Sequence, residues 1–141
     1  MKLQPYLFFE GRSEEAIEFY RRVLGAEVKM LMRWKDCPVP MPQQQPGREN
    51  NVMHAQVQIG DTEVMMSDGE CGGQAKFQGF SLTLNVASEA EADRLFAALS
   101  EGGQVRMPLG KTFFSQRFGM LADRFGVGWM IIVPAQAAKA A

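Results

Sequence analysis

One order of predicted elements dominates the sequence: a strand, an amphipathic helix and then three strands. In the first half, residues 3–9 are apolar and predict a buried strand, and residues 14–24 carry apolar side chains at helical spacing. Ser13 is placed to cap the start of this helix, and Gly25 is placed to cap its end. The first half is completed by strands predicted at 28–34, 52–59 and 62–67.

The same order returns in the second half. Residues 80–86 alternate as a half-buried strand, and Ser88-Glu89-Ala90-Glu91 has the pattern of a capping box. The helix that follows ends at Gly102-Gly103, and three further strands are predicted at 104–107, 113–121 and 128–133. The repeat predicts an α+β fold of two βαβββ modules.

A chain of 141 residues has the size of one ordinary domain. We expect a single domain over residues 1–134, with module 1 at about 1–67 and module 2 at about 79–134. A glycine-rich linker at 68–78 joins the modules, and the alanine-rich tail at 135–141 is predicted to be frayed.

The charge balance bears on partners and location. The formal net charge is −1, so there is no basic surplus for a phosphate backbone, and we expect no nucleic-acid partner. The apolar runs are too short to cross a membrane, and the first residues lack the apolar region of a signal peptide. We therefore expect a cytoplasmic protein with no membrane partner, in which Cys37 and Cys71 are free thiols.

Uncharged polar side chains occupy one face of two predicted strands. His54, Gln56 and Gln58 alternate with apolar residues in one strand, and Ser81, Thr83 and Asn85 do so in the other. Uncharged donors and acceptors of this kind suit a cleft that orients a small molecule. The alternative is an ordinary solvated face.

Several segments resemble a known superfamily. The run from Glu15-Ala16-Ile17 to Leu24-Gly25-Ala26-Glu27 resembles the first helix of the vicinal oxygen chelate superfamily, which includes glyoxalase I and the extradiol dioxygenases. The resemblance spans about residues 3 to 133. It is narrowest with the PhnB-like branch, in the segments Pro5-Tyr6-Leu7, Met53-His54-Ala55, Met65-Met66-Ser67-Asp68, Gly79-Phe80-Ser81-Leu82, Phe118–Val127 and Trp129-Met130-Ile131.

This resemblance implies two modules that form a curved mixed sheet around a cleft, in a homodimer. It also implies a family without a settled biochemical function, whose members are labelled demethylubiquinone methyltransferase-like. The sequence gives that label no support, because the glycine-rich stretch at 69–73 opens no helix, as a nucleotide-binding turn would.

Metal-dependent members of the superfamily hold a divalent ion with four side chains, two from each module. Alignment by the helices and the Asp-x-x-Gly turn places these positions near Pro5, on His54, on Ser81 or Phe80, and on Met130. Only His54 is a ligand of the expected kind, and one imidazole is too few for a catalytic zinc site. We therefore expect no metal and no other cofactor.

Other side chains have two interpretations each. His54, the only histidine, is a hydrogen-bonded structural residue or an acid–base residue of the cleft. Trp129 and Met130 pack in the core or line the cleft, and Asp68 and Asp123 are expected to be turn residues. One of Gln116 and Arg117 must face the cleft; Arg117 there would favour an anion, although a bulge at Gly119 would change the alternation.

Three hypotheses follow for function. The first is a protein that binds a small molecule without a metal, with Gln56, Ser81, Thr83, Gln116, Trp129 and Met130 in the cleft beside His54. The second is an enzyme of the same fold, a lyase, an isomerase or a resistance-type activity, that uses His54 or a partial metal site. The third is a dimeric protein with a vestigial cleft.

Overall fold

The structure is a computed structural model and describes residues 1–39, 46–69 and 74–135. The chain divides into two compact units, Met1–Ala75 (unit 1) and Lys76–Ala141 (unit 2). The predicted loop at 37–51, linker at 68–78 and frayed tail at 135–141 lie partly outside the described residues, and Cys71 lies wholly outside them. Within the described residues, the two helices are too short and polar to span a membrane.

Unit 1 follows the predicted order of strand, helix and three strands. Its sheet has the order β1-β4-β3-β2, in which β1 is parallel to β4 and the other neighbours are antiparallel. A short 3-10 turn at Trp34–Asp36 follows β2. The elements are β1 (Tyr6–Phe8), α1 (Ser13–Leu24), β2 (Glu27–Arg33), β3 (Val52–Ile59) and β4 (Thr62–Ser67).

Unit 2 has the same order and the same topology. Its sheet runs β5-β8-β7-β6, with β5 parallel to β8, so the first and last strands of each unit are neighbours. The predicted α+β fold with a repeated βαβββ order is confirmed. The elements are β5 (Leu82–Asn85), α2 (Glu89–Ser100), β6 (Gln104–Gly110), β7 (Ser115–Ala122) and β8 (Gly128–Pro134).

Alternation along the strands separates the core from the opposite face of each sheet. Ala55 and Val57 of β3 are fully buried toward α1, whereas His54 and Gln56 are half-buried on the other side, as predicted. We call the side of each sheet that faces away from its helix the far face. In unit 1 the far face carries Tyr6, Phe8, His54, Gln56 and Met65.

The two helices begin in different ways. In α2, Ser88 is the N-cap and its Oγ accepts a hydrogen bond of 3.1 Å from the Glu91 N–H, so the predicted cap is confirmed. In α1 the predicted cap is wrong: Arg12 is the N-cap residue, and Ser13 is the first helical residue with a buried hydroxyl. The cap comes instead from Asp68, whose Oδ1 accepts the N–H of Ser13 at 2.9 Å.

The irregularity expected at Gly119 is present on one side of β7 only. Against β8, Gly119 pairs regularly with Ile131, and the register shifts between Ser115 and Arg117. Against β6, the two residues between Met107 and Gly110 lie opposite the single Gly119, so the register shifts there. The requirement for glycine at position 119 comes from packing, because a Cβ there would lie 2.7 Å from Cε2 of Phe96 in α2. Close packing of the helix on the sheet therefore requires glycine at this position.

Candidate functional site

A hydrogen-bonded pair lies at the centre of the far face of unit 1. The Tyr6 hydroxyl is 2.7 Å from Nδ1 of His54, although β4 lies between their strands. Tyr6 pairs with Met65 and Met65 with Gln56, so the phenol reaches across β4 to the imidazole. The Tyr6 ring also stacks on Phe8, with centroids 4.7 Å apart and an interplanar angle of 16°.

Two further polar groups adjoin the pair. Gln56 places its amide nitrogen 3.5 Å from Nε2 of His54, on the side of the ring opposite the phenol. Ser67, buried at the end of β4, pairs with Phe8, two residues along β1 from Tyr6. Burial raises the pKa of the Tyr6 phenol above its ordinary value of 10.0, and the polar influence of the Ser67 side chain lowers it by less. The phenol therefore keeps its proton at neutral pH and is able to donate it to His54.

The far face of unit 2 brings together only some of the predicted cleft residues. Thr83 pairs with Met130 across β5 and β8, and its hydroxyl donates to the Met130 sulfur at 3.6 Å. Trp129 is adjacent to Met130 in β8 and so lies on the opposite face, with 2 % of its surface exposed. Its indole N–H donates to Asp123 Oδ2 at 2.9 Å, which places it in the core of unit 2.

The register of β7 decides between Gln116 and Arg117. Arg117 turns toward α2, where its guanidinium lies 3.3 Å from the Glu89 carboxylate and 3.4 Å from that of Asp93. Of the two alternatives, Arg117 is therefore the residue that does not face the cleft side, and the anion preference that depended on it does not arise. Gln116 is half-buried at the register shift beside it.

Asp68 and Asp123 are more than turn residues. Asp68 is 4 % exposed, and besides Ser13 it accepts the N–H of Gly11 at 2.9 Å and that of Val52 at 2.8 Å. Asp123 is 3 % exposed, and besides Trp129 it accepts backbone N–H groups of its own turn. Both carboxylates have their oxygens engaged inside a single unit, which indicates a structural role.

The metal that the superfamily implies does not fit these residues. Nδ1 of His54 is engaged by Tyr6, Pro5 has no ligating side chain, and the Met130 sulfur accepts from Thr83. Within the described residues, no three His, Cys, Asp or Glu side chains form a group that could hold a metal ion. No chemical step is therefore assigned to a metal here.

Sequence reasoning missed Tyr6. The apolar run at 3–9 predicts a strand, but it does not show that this strand pairs with β4. The partner of Tyr6 in β4 is Met65, which lies 59 residues further along the chain. A signal was present: in a superfamily in which the first and fourth strands pair in parallel, the first strand lies two strands from His54, within reach of a tyrosine.

Two four-stranded mixed sheets, in each of which the first and last strands pair in parallel, define the vicinal oxygen chelate fold. The chain belongs to the family described as 3-demethylubiquinone-9 3-methyltransferase, whose model matches residues 1–132. The resemblance to the PhnB-like branch is thereby confirmed.

Individual relatives agree with this assignment. The chain is 36% identical to Protein YjdN of Escherichia coli (strain K12), over 96% of this chain and 97% of that protein. It is 40% identical to protein PA1353 of Pseudomonas aeruginosa, with a TM-score of 0.82 over 95% of this chain and 98% of that one. The PhnB protein of Bacillus cereus is 31% identical, with a TM-score of 0.78 over 94% and 99% of the two chains.

A more distant likeness concerns the fold alone. The fosfomycin resistance protein FosX of Listeria monocytogenes is 10% identical, with a TM-score of 0.67 over 100% of this chain and 98% of that one.

Proposed function

We propose that this PhnB-like protein binds a small, uncharged organic molecule on the far face of unit 1, without a metal ion. The hydrogen bond of 2.7 Å between Tyr6 and Nδ1 of His54 carries this proposal. It fixes the orientation of the imidazole on a half-buried face with few charges, and a fixed polar group among apolar ones is what a ligand site needs.

The direction of that hydrogen bond determines what the imidazole offers. The Tyr6 phenol retains its proton, because burial raises its pKa. When it donates to Nδ1, the neutral imidazole carries its own proton on Nε2. His54 then presents an N–H donor to a ligand. The Gln56 amide nitrogen, 3.5 Å from Nε2, is also a donor, so the two N–H groups are placed to converge on one ligand acceptor.

The surroundings of these polar groups favour a partly apolar ligand. Tyr6 and Phe8 form a stacked pair, and the half-buried thioether of Met65 lies on β4 between Tyr6 and Gln56. Aromatic rings and thioethers make favourable contacts with flat apolar groups. A molecule with an aromatic or aliphatic ring and one carbonyl acceptor would complement the whole face.

The same pair supports a second candidate, an enzyme that uses His54 as a general acid or base. A tyrosine that orients an imidazole from Nδ1 leaves Nε2 for proton transfer, as a positioned acid–base group requires. In this reading Tyr6 is a positioning residue. A catalytic rate that falls in His54→Gln would favour the enzyme over simple binding. The control variant Gln58→Ala should keep the pH optimum of the wild-type protein.

The binding proposal is tested by a thermal-shift screen of neutral ring compounds that carry a carbonyl group. A compound that stabilises the wild-type protein should lose its effect in His54→Ala and keep only part of it in Tyr6→Phe. The matched control is Gln58→Ala, on the same strand and face, whose amide donates to the Gly60 carbonyl at 2.9 Å rather than to the pair.

Two outcomes would contradict the proposal. One is that His54→Ala keeps the full stabilisation by the compound. The other is stoichiometric nickel, zinc or manganese in protein purified without chelator, lost in His54→Ala, which would restore the metal-dependent alternative. If no compound stabilises the fold, the third hypothesis, a dimer with a vestigial cleft, is favoured.

The proposal extends to the assembly that the resemblance implies. We infer that the protein is a homodimer and that Ser81, Thr83, Gln116 and Met130 line a ligand cleft on the far face of unit 2. Light scattering after gel filtration, at two concentrations a hundredfold apart, tests the first point; the mass of a monomer at both would refute it.

A further inference from the structure

Three methionines lie side by side across the sheet of unit 2. Met107 of β6 pairs with Met120 of β7, and Met120 pairs with Met130 of β8. Paired residues of neighbouring strands point to the same face of a sheet. Because Trp129, which adjoins Met130 in β8, is buried in the core, the three thioethers lie on the far face. We call these three residues the methionine row.

The side chains of the methionine row have the freedom to converge on one point. Met107 is 44 % exposed, and Met120 and Met130 are half-buried. Neighbouring strands are about 5 Å apart, so the two outer methionines of the row are separated by about 10 Å. Each sulfur lies two bonds beyond Cβ on a side chain with three rotatable bonds, so both outer side chains can lean toward Met120. The three sulfurs can therefore approach a common point above the central strand.

The polar neighbours of the row leave its sulfurs able to act as ligands. The Thr83 hydroxyl donates to the Met130 sulfur at 3.6 Å, which engages one lone pair of that sulfur and leaves the second. The guanidinium of Arg106 is directed along β8 toward Gly128, where its Nη1 lies 3.6 Å from the position that a Cβ would occupy. Gly128 is two residues, or about 7 Å, from Met130 along β8. Because Arg106 is exposed, solvent screens its charge from the row.

The corresponding row of unit 1 has an amide at its centre. Met30 of β2 pairs with Gln56 of β3, and Gln56 pairs with Met65 of β4. These strands hold the same places in their sheet as β6, β7 and β8, so the outer positions are methionine in both units. The central position differs, because Gln56 in unit 1 corresponds to Met120 in unit 2. The repeat therefore supplies a matched comparison, in which one row has three thioethers and the other has two.

We propose that the methionine row binds one Cu(I) ion through its three sulfurs. Thioethers are soft, polarisable ligands and select Cu(I), whereas carboxylates and carbonyls suit hard ions such as manganese. Three uncharged ligands leave the ion its own charge, and a half-buried face tolerates one positive charge better than two. The site therefore differs in metal and in ligands from the four-ligand site of the superfamily. It lies within unit 2 and does not depend on the Tyr6–His54 pair.

The test is a titration of full-length protein, labelled with ¹³C at the methionine methyl groups, with Ag(I) as a redox-stable probe for Cu(I) in chloride-free buffer. Cys37→Ser and Cys71→Ser are introduced first, because thiolates are also strong ligands for soft ions. The methyl signals of Met107, Met120 and Met130 should shift together and saturate at one ion per chain. Met120→Gln, which copies the row of unit 1, should lower the affinity by more than about tenfold, the smallest loss usual even for outer partners of a metal site.

Two controls separate the site from folding and from general affinity for thioethers. Met120→Leu keeps the apolar volume but removes the sulfur, so it should weaken binding as Met120→Gln does while the thermal melt without the ion stays close to that of its parent. Met30→Leu removes a thioether at the corresponding edge of unit 1 and should leave the affinity unchanged. Full affinity in Met120→Leu would overturn the proposal, as would an equal loss in Met30→Leu, saturable shifts that map to other methionines, or no saturable shift at all.

Discussion

Units 1 and 2 share one topology but hold their helices by different means. The first turn of α2 is capped locally by Ser88, three residues from its donor Glu91. The first turn of α1 is capped by Asp68, which lies 55 residues from Ser13 and also holds the start of β3 at Val52. A repeated topology therefore does not imply repeated interactions. The helix of unit 1 depends on a cap from a residue far away in the sequence, and the helix of unit 2 depends on a local cap.

The far faces differ in the same way. In unit 1 a tyrosine from the first strand orients an imidazole two strands away. In unit 2 the first strand contributes Thr83, whose hydroxyl donates to Met130 on the neighbouring strand. The first strand has the same position in both units, whereas the side chains that it contributes to the far face differ.

The largest effect is expected for Asp68→Ala. It leaves three backbone N–H groups without their acceptor inside unit 1, so the free energy of unfolding should fall by about 3–5 kcal/mol. Ser88→Ala is the matched change in unit 2 and should cost about 1 kcal/mol. Equal costs would remove the contrast between the long-range and the local cap.

Each unit has its own probe for these measurements. Trp34 is buried in unit 1 and Trp129 in unit 2. Urea unfolding of variants that keep one tryptophan, followed by fluorescence, reports where a given loss of stability arises.

An intermediate effect is expected for Gly103→Ala. Gly103 precedes β6, and a Cβ there would collide with the Ala122 carbonyl oxygen and lie 2.9 Å from Cα of Asp123. Because backbone must move, the expected loss is about 2–4 kcal/mol. Ala26 holds the corresponding place before β2, and Ala26→Gly should cost only about 0.5–1 kcal/mol. A thermal melt in which Gly103→Ala matches wild type would contradict the close approach.

The smallest effect concerns pH. Burial raises the pKa of Tyr6 above 10.0, so the unfolded chain loses this proton at lower pH than the folded one. The stability that Tyr6 contributes is present below pH 10 and declines as pH rises from its ordinary pKa through the raised one. Unfolding free energies from pH 8 to 11 should therefore fall more steeply for wild type than for Tyr6→Phe. Parallel curves would show that the phenol is not buried.

The order of helices and strands was predictable because the sequence signals for it are local. The alternation of β3, the Ser88 N-cap and Gly25 at the end of α1 depend on residues a few positions apart, and all three were predicted correctly. The bounds of two strands were predicted less well. The strand predicted at 3–9 begins at Tyr6, and the strand predicted at 104–107 continues to Gly110.

The site was only partly predictable because its contacts are not local. His54 and Gln56 were placed on the correct face by alternation, but Tyr6 required the parallel pairing of β1 with β4. Arg117 and Trp129 fell on the helix side because of a register shift at 115–117 and simple alternation in β8.

The pairing of the first and last strands also sets an order for synthesis on the ribosome. The sheet of unit 1 lacks its partner for β1 until Ser67 of β4 has emerged, and from then on it needs no strand from unit 2. A nascent chain has therefore delivered every strand of the first sheet before the second sheet begins at Leu82. This timing lets the N-terminal half assemble while the rest is still being made, and limits the period in which its strands are unpaired and able to pair with the wrong partner.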